Sequence, residues 1–240
     1  MKFKTILILL LVLGCSLFAQ GSYESQVIAS NSWTAGIADL AGVEDIVSLA
    51  PATMNHPPEY ELKASDILAL TNAKAFIFGG YEVMMKEIKS SIVSETRKDI
   101  KVTTANNLNV LIEGAEKIAA QLGTTPKYDS LIETYEAARA YIKEKGVDKL
   151  NVYCNTMLKP MLDDLGFNVV AVYSNNSVTA DDIVAVASGE YDLIIDNIHS
   201  PGIDNFKEVA KVPIITFRNF PLGSIEELII ENMDVLKTIY

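Results

Sequence analysis

Short apolar runs alternate with helical segments along nearly the whole chain, and this alternation restricts the possible fold more than any other feature. The first half has four predicted strands, Val27–Ala29, Ile46–Leu49, Ala75–Phe78 and Val102–Thr104. The second half repeats the pattern, with predicted strands Asn151–Cys154, Val169–Tyr173, Tyr191–Asp196 and Pro213–Thr216. Strands that alternate with helices build parallel sheets, because parallel neighbours need a long crossover connection. The sequence therefore predicts an α/β protein with two lobes, each a small parallel four-stranded sheet flanked by helices.

The predicted helices fill the intervals between these strands. They are Asn31–Leu40, Ser65–Thr71, Glu82–Val93 and Leu108–Leu122 in the first half, and Met157–Leu165, Thr179–Ser188, Ile203–Ala210 and Ser224–Thr238 in the second. Between the halves, Lys127–Lys145 has a helical pattern and no strand signal. A helix of about 20 residues spans about 30 Å, the width of a small domain. We therefore predict an N-terminal lobe over 15–124, a long linking helix over 125–146 and a C-terminal lobe over 147–240.

The first residues have the pattern of an export signal. Lys2 and Lys4 precede the apolar run Ile6–Leu13, which is too short to span a bilayer, and Gly14-Cys15 follow. The stretch LVLGC resembles the lipobox of bacterial lipoproteins, which implies a signal peptide over 1–14 and a lipid anchor on Cys15. An ordinary signal cleaved near Ala19 is the alternative. Both interpretations place the mature protein in the periplasm or at the cell surface.

The acidic composition and the scarcity of cysteine limit the partners and the covalent framework. Removing residues 1–14 deletes two lysines and moves the formal net charge from −11 to −13. An acidic protein repels nucleic acid, so we expect no nucleic-acid partner. Cys154 is then the only cysteine of the folded part, which excludes an internal disulfide. It is expected in the core, with soft-metal ligation as the less favoured alternative. We expect a monomer.

Polar residues collect in the loops that follow the predicted strands. Parallel α/β sheets bind ligands at the carboxyl ends of their strands. In the first half these loops contain Trp33, His56, Glu59, Asn106 and Asn107, and in the second half they contain Asn155, Asn175, Asp196, His199 and Arg218. The two histidines of the chain therefore fall one in each half. We predict that they meet in a cleft between the lobes.

Two imidazoles and nearby carboxylates form a donor set that suits zinc or manganese. The residue pattern therefore suggests a metal site made of His56, Glu59, Asp196 and His199. Ordinary roles stay open for each: a solvated histidine, a surface acid, or turn chemistry at the adjacent prolines. Of the other cleft candidates, Trp33 either packs or makes a cation–π contact. Arg218 either grips a ligand carboxylate or forms a salt bridge at the rim.

Several motifs together resemble a known protein family. The strongest is PATMNHPPEYELKASDI (51–67); IASNSWTAGIADLAG (28–42), MLKPMLDDLGFNVVAV (157–172) and YDLIIDNIHSP (191–201) are further matches. The chain resembles the zinc/manganese-specific solute-binding lipoproteins of bacterial ABC importers, the cluster 9 metal-binding family. The resemblance covers nearly the whole mature chain. It implies a non-enzymatic, two-lobed protein with a metal site in the cleft, little hinge motion and delivery to a membrane permease.

The resemblance also implies four metal ligands, and this chain departs from three of them. His56 occupies the place of the first ligand histidine. Asn106 or Asn107 stands at the second place, Asn155 at the third, and Arg218 and Asn219 where an acid is usual. The family's histidine-rich acidic loop is absent as well. The cleft residues Trp33, Asn107, Asn155 and Arg218 are therefore expected to contact the cargo in addition to the four predicted metal ligands.

The resulting hypothesis is a lipid-anchored binding protein for zinc or manganese that feeds an ABC permease. The alternative is a binding protein of the same fold for a metal chelate or a small organic anion. A hydrolase built on His199 and Asp196 is a weaker alternative, because the sequence lacks HExxH and GxSxG motifs. A host-facing adhesin is a further alternative, for which the sequence has no marker. Since ligating imidazoles must be neutral, metal affinity is expected to fall below about pH 6.

Overall fold

The computed structural model describes residues 26–92, 94, 96–174, 178–202, 204 and 206–240. The predicted signal peptide, Cys15 and Asn175 lie outside these residues. The chain forms two parallel four-stranded sheets, with strand orders β2-β1-β3-β4 and β6-β5-β7-β8. The first sheet consists of β1 (Val27–Ala29), β2 (Ile46–Ser48), β3 (Ala75–Phe78) and β4 (Lys98–Lys101); the second consists of β5 (Val152–Asn155), β6 (Val169–Tyr173), β7 (Leu193–Asn197) and β8 (Ile214–Phe217). This architecture confirms the predicted α/β fold.

Eight α-helices accompany these strands in the part of the chain that the structure describes. They are α1 (Ser32–Leu40), α2 (Ala64–Asn72), α3 (Met85–Ser91), α4 (Leu108–Leu122), α5 (Asp129–Glu144), α6 (Lys159–Leu165), α7 (Ala180–Ser188) and α8 (Ile225–Leu236). The predicted helix Ile203–Ala210 falls partly outside the described residues. Helix α5 lies between the two sheets in sequence and buries Leu131, Tyr135, Ala138 and Ile142, as its apolar spacing predicts.

Two local predictions are corrected by the structure. The fourth strand is Lys98–Lys101 rather than Val102–Thr104, because pairing with β3 aligns Lys98 with Ala75. It is an edge strand with three exposed residues, so its sequence lacks an apolar strand pattern. Helix α2 begins at Ala64, one residue earlier than predicted. The carboxylate of Asp66 accepts a hydrogen bond from the Lys63 backbone N–H at 2.8 Å.

One hydrophobic cluster runs through both lobes and the helix between them. It contains Trp33 and Ile37 of α1, Tyr135 of α5, Leu162 of α6 and Leu228 of α8. The lobes also approach closely at Gly36, where a Cβ atom would lie 2.7 Å from Cγ1 of Ile225. Because the lobes share a core, they are expected to move little relative to one another.

Hydrogen bonds reinforce this shared core at Asp164 of α6. Its carboxylate accepts from the Leu108 backbone N–H of α4 at 2.7 Å and from the Arg139 guanidinium of α5 at 2.5 Å. Asp164 therefore joins both lobes to the linking helix. Within the described ranges, no helix combines the length and the apolarity that crossing a membrane requires.

Candidate functional site in the inter-lobe cleft

A cavity of about 580 Å³ lies between the lobes at the carboxyl ends of the strands. The N-terminal lobe contributes Trp33, His56, Tyr81 and Asn106, among others, and the C-terminal lobe contributes Met157, His199, Asn219 and Phe220. The predicted cleft therefore exists, and both histidines line it. Much of its wall is apolar, because prolines and aromatic rings stand beside the polar groups. Among its described lining residues, none is an aspartate or a glutamate.

His56 reaches the cavity from an exposed loop after β2. A short 3-10 turn, Pro57–Glu59, follows it, and the His56 carbonyl accepts from the Glu59 N–H at 3.0 Å. The Val83 N–H donates to the carbonyl of Pro58 at 2.9 Å, which joins this turn to the loop after β3. The two prolines fix local backbone angles, so the loop has less freedom to lose when a ligand binds.

His199 lies at the opposite wall and is only 6% exposed. Its backbone N–H donates to Oδ1 of Asn197 at 3.0 Å, and its ring packs edge-on against Phe220 at a centroid distance of 5.2 Å. Its Nδ1 atom has no hydrogen-bond partner among the described residues. Burial is the main cause that lowers the pKa of His199 from 6.5 to about 4. The charge of Arg218 lowers this pKa further, and His56 has a smaller effect in the same direction. A hydrogen bond with Asn219 acts in the opposite direction. The imidazole is therefore neutral at physiological pH.

The structure does not assemble the four predicted metal ligands. Among the described residues, no three His, Cys, Asp or Glu side chains are grouped so that they could hold a metal ion. Glu59 is exposed and is not part of the cavity wall. Asp196 is buried, and its carboxylate accepts from the Tyr173 hydroxyl at 2.6 Å and from the backbone N–H groups of Asn197 and Gly202 at 2.8 and 3.0 Å. These bonds hold the loop that carries His199.

The other predicted cleft residues also divide into those that line a cavity and those that support the surrounding structure. Trp33 lines the cavity. Asn107 instead caps α4 by accepting from the Val110 N–H at 3.0 Å, and its neighbour Asn106 faces the cavity. The Asn155 amide donates to the Ser200 carbonyl at 3.0 Å, so it braces the loop around His199. Arg218 lines a smaller adjoining pocket, described below.

Glu82 was not singled out from the sequence, yet it organises the N-terminal side of the cleft. It is 2% exposed, and its carboxylate accepts from the Ser30 hydroxyl at 2.5 Å and from the backbone N–H groups of Gly79 and Gly80 at 2.9 and 2.6 Å. Because Val83 bonds to the carbonyl of Pro58, this network also supports the His56 loop. A carboxylate two residues after a glycine pair at a strand end is the signal that could have identified it.

No protein-family model and no curated protein sequence matches the chain, whereas solved structures do. The Cd-bound and Mn-bound forms of a periplasmic metal-binding protein from Candidatus Liberibacter asiaticus each match with a TM-score of 0.65 and 14% identity, over 90% of this chain and 100% of that one. A crystal structure of ZnuA matches with a TM-score of 0.66 and 11% identity, over 89% of this chain and 98% of that one. At these identities the likeness shows a shared fold.

Proposed function

We propose that this protein is an extracytoplasmic solute-binding protein that binds a divalent metal ion between its lobes and delivers it to an ABC importer. One observation carries the proposal: the only two histidines of the chain come from different lobes and line the same cavity. The solved structures of the same fold include proteins named as metal-binding, with cadmium or manganese bound. The names of these proteins support a metal ion as the cargo of this chain.

The chemistry of the two imidazoles suits zinc, with manganese as the alternative. Zinc takes neutral imidazole nitrogen as a ligand, and His199 is neutral over the physiological pH range. Its Nδ1 has no hydrogen-bond partner among the described residues, so a metal could engage this atom without breaking a hydrogen bond. Two imidazoles leave at least two positions of a tetrahedral shell to be filled from outside the pair. Amide oxygens, water or groups that arrive with the cargo are the available donors.

A binding role fits this site better than catalysis. A general-base histidine is usually oriented by a carboxylate, whereas the side-chain partner of His199 is the amide of Asn219. The LVLGC stretch, which lies outside the described residues, supports export and a lipid anchor on Cys15. We therefore propose that the protein is anchored at the outer side of the membrane, close to its permease.

Titration of metal-stripped protein with Zn²⁺ and with Mn²⁺ by isothermal calorimetry tests the proposal. His56→Gln and His199→Gln should each weaken zinc binding by about a hundredfold or more, because each removes half of the protein's imidazole ligands. Glu59→Gln is the matched control and should bind as the wild type does, since Glu59 lies outside the cavity wall. Absence of heat and of a thermal shift with both metals would overturn the proposal, as would unchanged binding in both histidine variants.

A further inference from the structure

Buried polar atoms without partners gather around the inter-lobe cavity. Among the described residues they include Nε1 of Trp33, both amide atoms of Asn106 and Nδ1 of His199. All three residues line the cavity, and Trp33 and Asn106 are only 2% and 5% exposed. Native proteins satisfy the great majority of buried polar atoms. Several such atoms around one cavity therefore point to a ligand that supplies the missing partners.

The types of these atoms restrict the ligand. The indole N–H of Trp33 is only a donor. The Asn106 amide has a free donor whichever way it is turned, since neither of its polar atoms has a partner in the described part of the chain. A bare cation has no acceptor atom to offer to a donor. A cargo that carries acceptor atoms of its own would satisfy these donors. A cavity of about 580 Å³ also lies in the range of sites for small organic molecules.

A second, smaller pocket adjoins the cavity and holds a positive charge. It has a volume of about 160 Å³ and shares Asn55 and His199 with the larger cavity, and Arg218 lies in its wall. The Arg218 guanidinium has a loose ion pair with the half-exposed Glu231 at 3.7 Å. An arginine fork matches a carboxylate in geometry and charge, and a loose surface pair is easily replaced.

The backbone of Arg218 is fixed even though its ion pair is loose. Asn232 of α8 is 1% exposed; its Oδ1 accepts from the Arg218 N–H at 2.8 Å, and its Nδ2 donates to the Arg218 carbonyl at 2.9 Å. The backbone that carries the arginine is therefore held beside the pocket before any ligand arrives. Preorganisation of this kind lowers the ordering cost of binding.

We propose that the cargo is a divalent metal complexed by a small organic chelator that bears a carboxylate. The metal engages His56 and His199, the chelator fills the rest of the coordination shell, and its acceptor atoms meet the Trp33 indole and the Asn106 amide. The carboxylate occupies the pocket of Arg218. This inference rests on the proposed metal-binding function and names the form in which the metal is bound.

Two zinc complexes that differ in one group test the role of the carboxylate. Metal-stripped protein is titrated with Zn²⁺ alone, with the 1:1 complex of Zn²⁺ and picolinate, and with the 1:1 complex of Zn²⁺ and 2-picolylamine, which has an amine in place of the carboxylate. The picolinate complex should bind at least tenfold more tightly than the other two. Arg218→Gln should remove this preference, whereas Lys143→Gln, which removes an exposed positive charge on α5, should keep it.

The single tryptophan of the chain gives an independent readout. In a ¹H–¹⁵N spectrum of the wild type, its one indole resonance should shift with the picolinate complex and stay near its free position with Zn²⁺ alone. Tight histidine-dependent binding of Zn²⁺ alone, with no gain from picolinate, would overturn this inference and leave the proposed function standing. Failure to bind zinc in any form would overturn both.

Discussion

The two lobes have the same sheet topology but present their histidines to the cleft in different ways. In each sheet the second strand lies at one edge and the third strand lies next to the first. His56 follows the edge strand β2 and is exposed, whereas His199 follows the inner strand β7 and is 6% exposed. One imidazole is therefore part of a surface loop, and the other is part of the packed interior. The comparison teaches that equal topology does not impose equal surroundings on a ligand.

The lobes nevertheless hold their histidine loops with the same device. Each has one buried carboxylate near the end of its third strand, Glu82 in the first lobe and Asp196 in the second. Each carboxylate accepts from one hydroxyl group and two backbone N–H groups. These acids hold the loops in place, and so neither contributes to the wall of the cavity.

The largest expected effect comes from removing these carboxylates. Glu82→Ala and Asp196→Ala should each lower the free energy of unfolding by about 3–5 kcal/mol, because each leaves several buried donors without an acceptor. Urea unfolding followed by circular dichroism measures the change. Glu133→Ala, which removes an exposed acid of α5, should change the unfolding free energy by less than about 0.5 kcal/mol. If only one of the two variants lost several kcal/mol of unfolding free energy, Glu82 and Asp196 would not have equivalent roles.

The next largest effect concerns how the free energy of unfolding of the metal-free protein depends on pH. His199 and His56 should contribute differently to this dependence. The pKa of His199 is about 4 in the folded state and 6.5 without the fold, so the unfolded state takes up a proton first as the pH falls. The contribution of neutral His199 to the free energy of unfolding is therefore complete above pH 6.5. It is lost progressively towards pH 4, by about 2–3 kcal/mol.

Denaturation midpoints between pH 7 and pH 4 measure this loss. His199→Gln should flatten the profile by the same amount, because glutamine does not titrate. His56→Gln replaces the exposed imidazole and should leave most of the loss in place, because burial is the main cause of the lowered pKa of His199. An equal flattening by both substitutions would contradict the difference in burial between the two lobes. Because His199 stays neutral down to about pH 4, protonation should remove it as a metal ligand only near that pH. This is below the pH of about 6 expected from the sequence.

The smallest expected effect concerns the attachment of each lobe to the linking segment. Asp164→Ala removes the acceptor of the Leu108 N–H and of the Arg139 guanidinium, so we expect a loss of about 1–2 kcal/mol. Lys127→Gln breaks the exposed ion pair with Asp39 and should cost less than about 0.5 kcal/mol. Thermal unfolding at low salt compares the two variants. An equal loss in both would show that the part-buried position of Asp164 has no importance.

Much of the fold could be predicted because parallel α/β proteins leave a local record in sequence. Inner strands such as β5 and β7 are buried on both faces and therefore appear as continuous apolar runs. The edge strand β4 was misplaced, since only Ile100 of its four residues is buried and its limits are set by pairing with β3. The rule that ligands bind at strand ends correctly brought His56, His199 and Trp33 to one cavity.

The sequence by itself determined the strand–helix alternation, the two sheets and the convergence of the two histidines, because these depend on apolar periodicity and on the common direction of parallel strands. The tertiary structure decided which polar side chains face the cavity. Asp196 turns towards Tyr173 and the Gly202 N–H, and Asn107 turns to cap α4, whereas Asn106 faces the cleft. The physical reason is that buried backbone donors must find acceptors, and a carboxylate or amide that satisfies them is no longer directed at a ligand. Which donors need an acceptor is fixed only when the loops are packed.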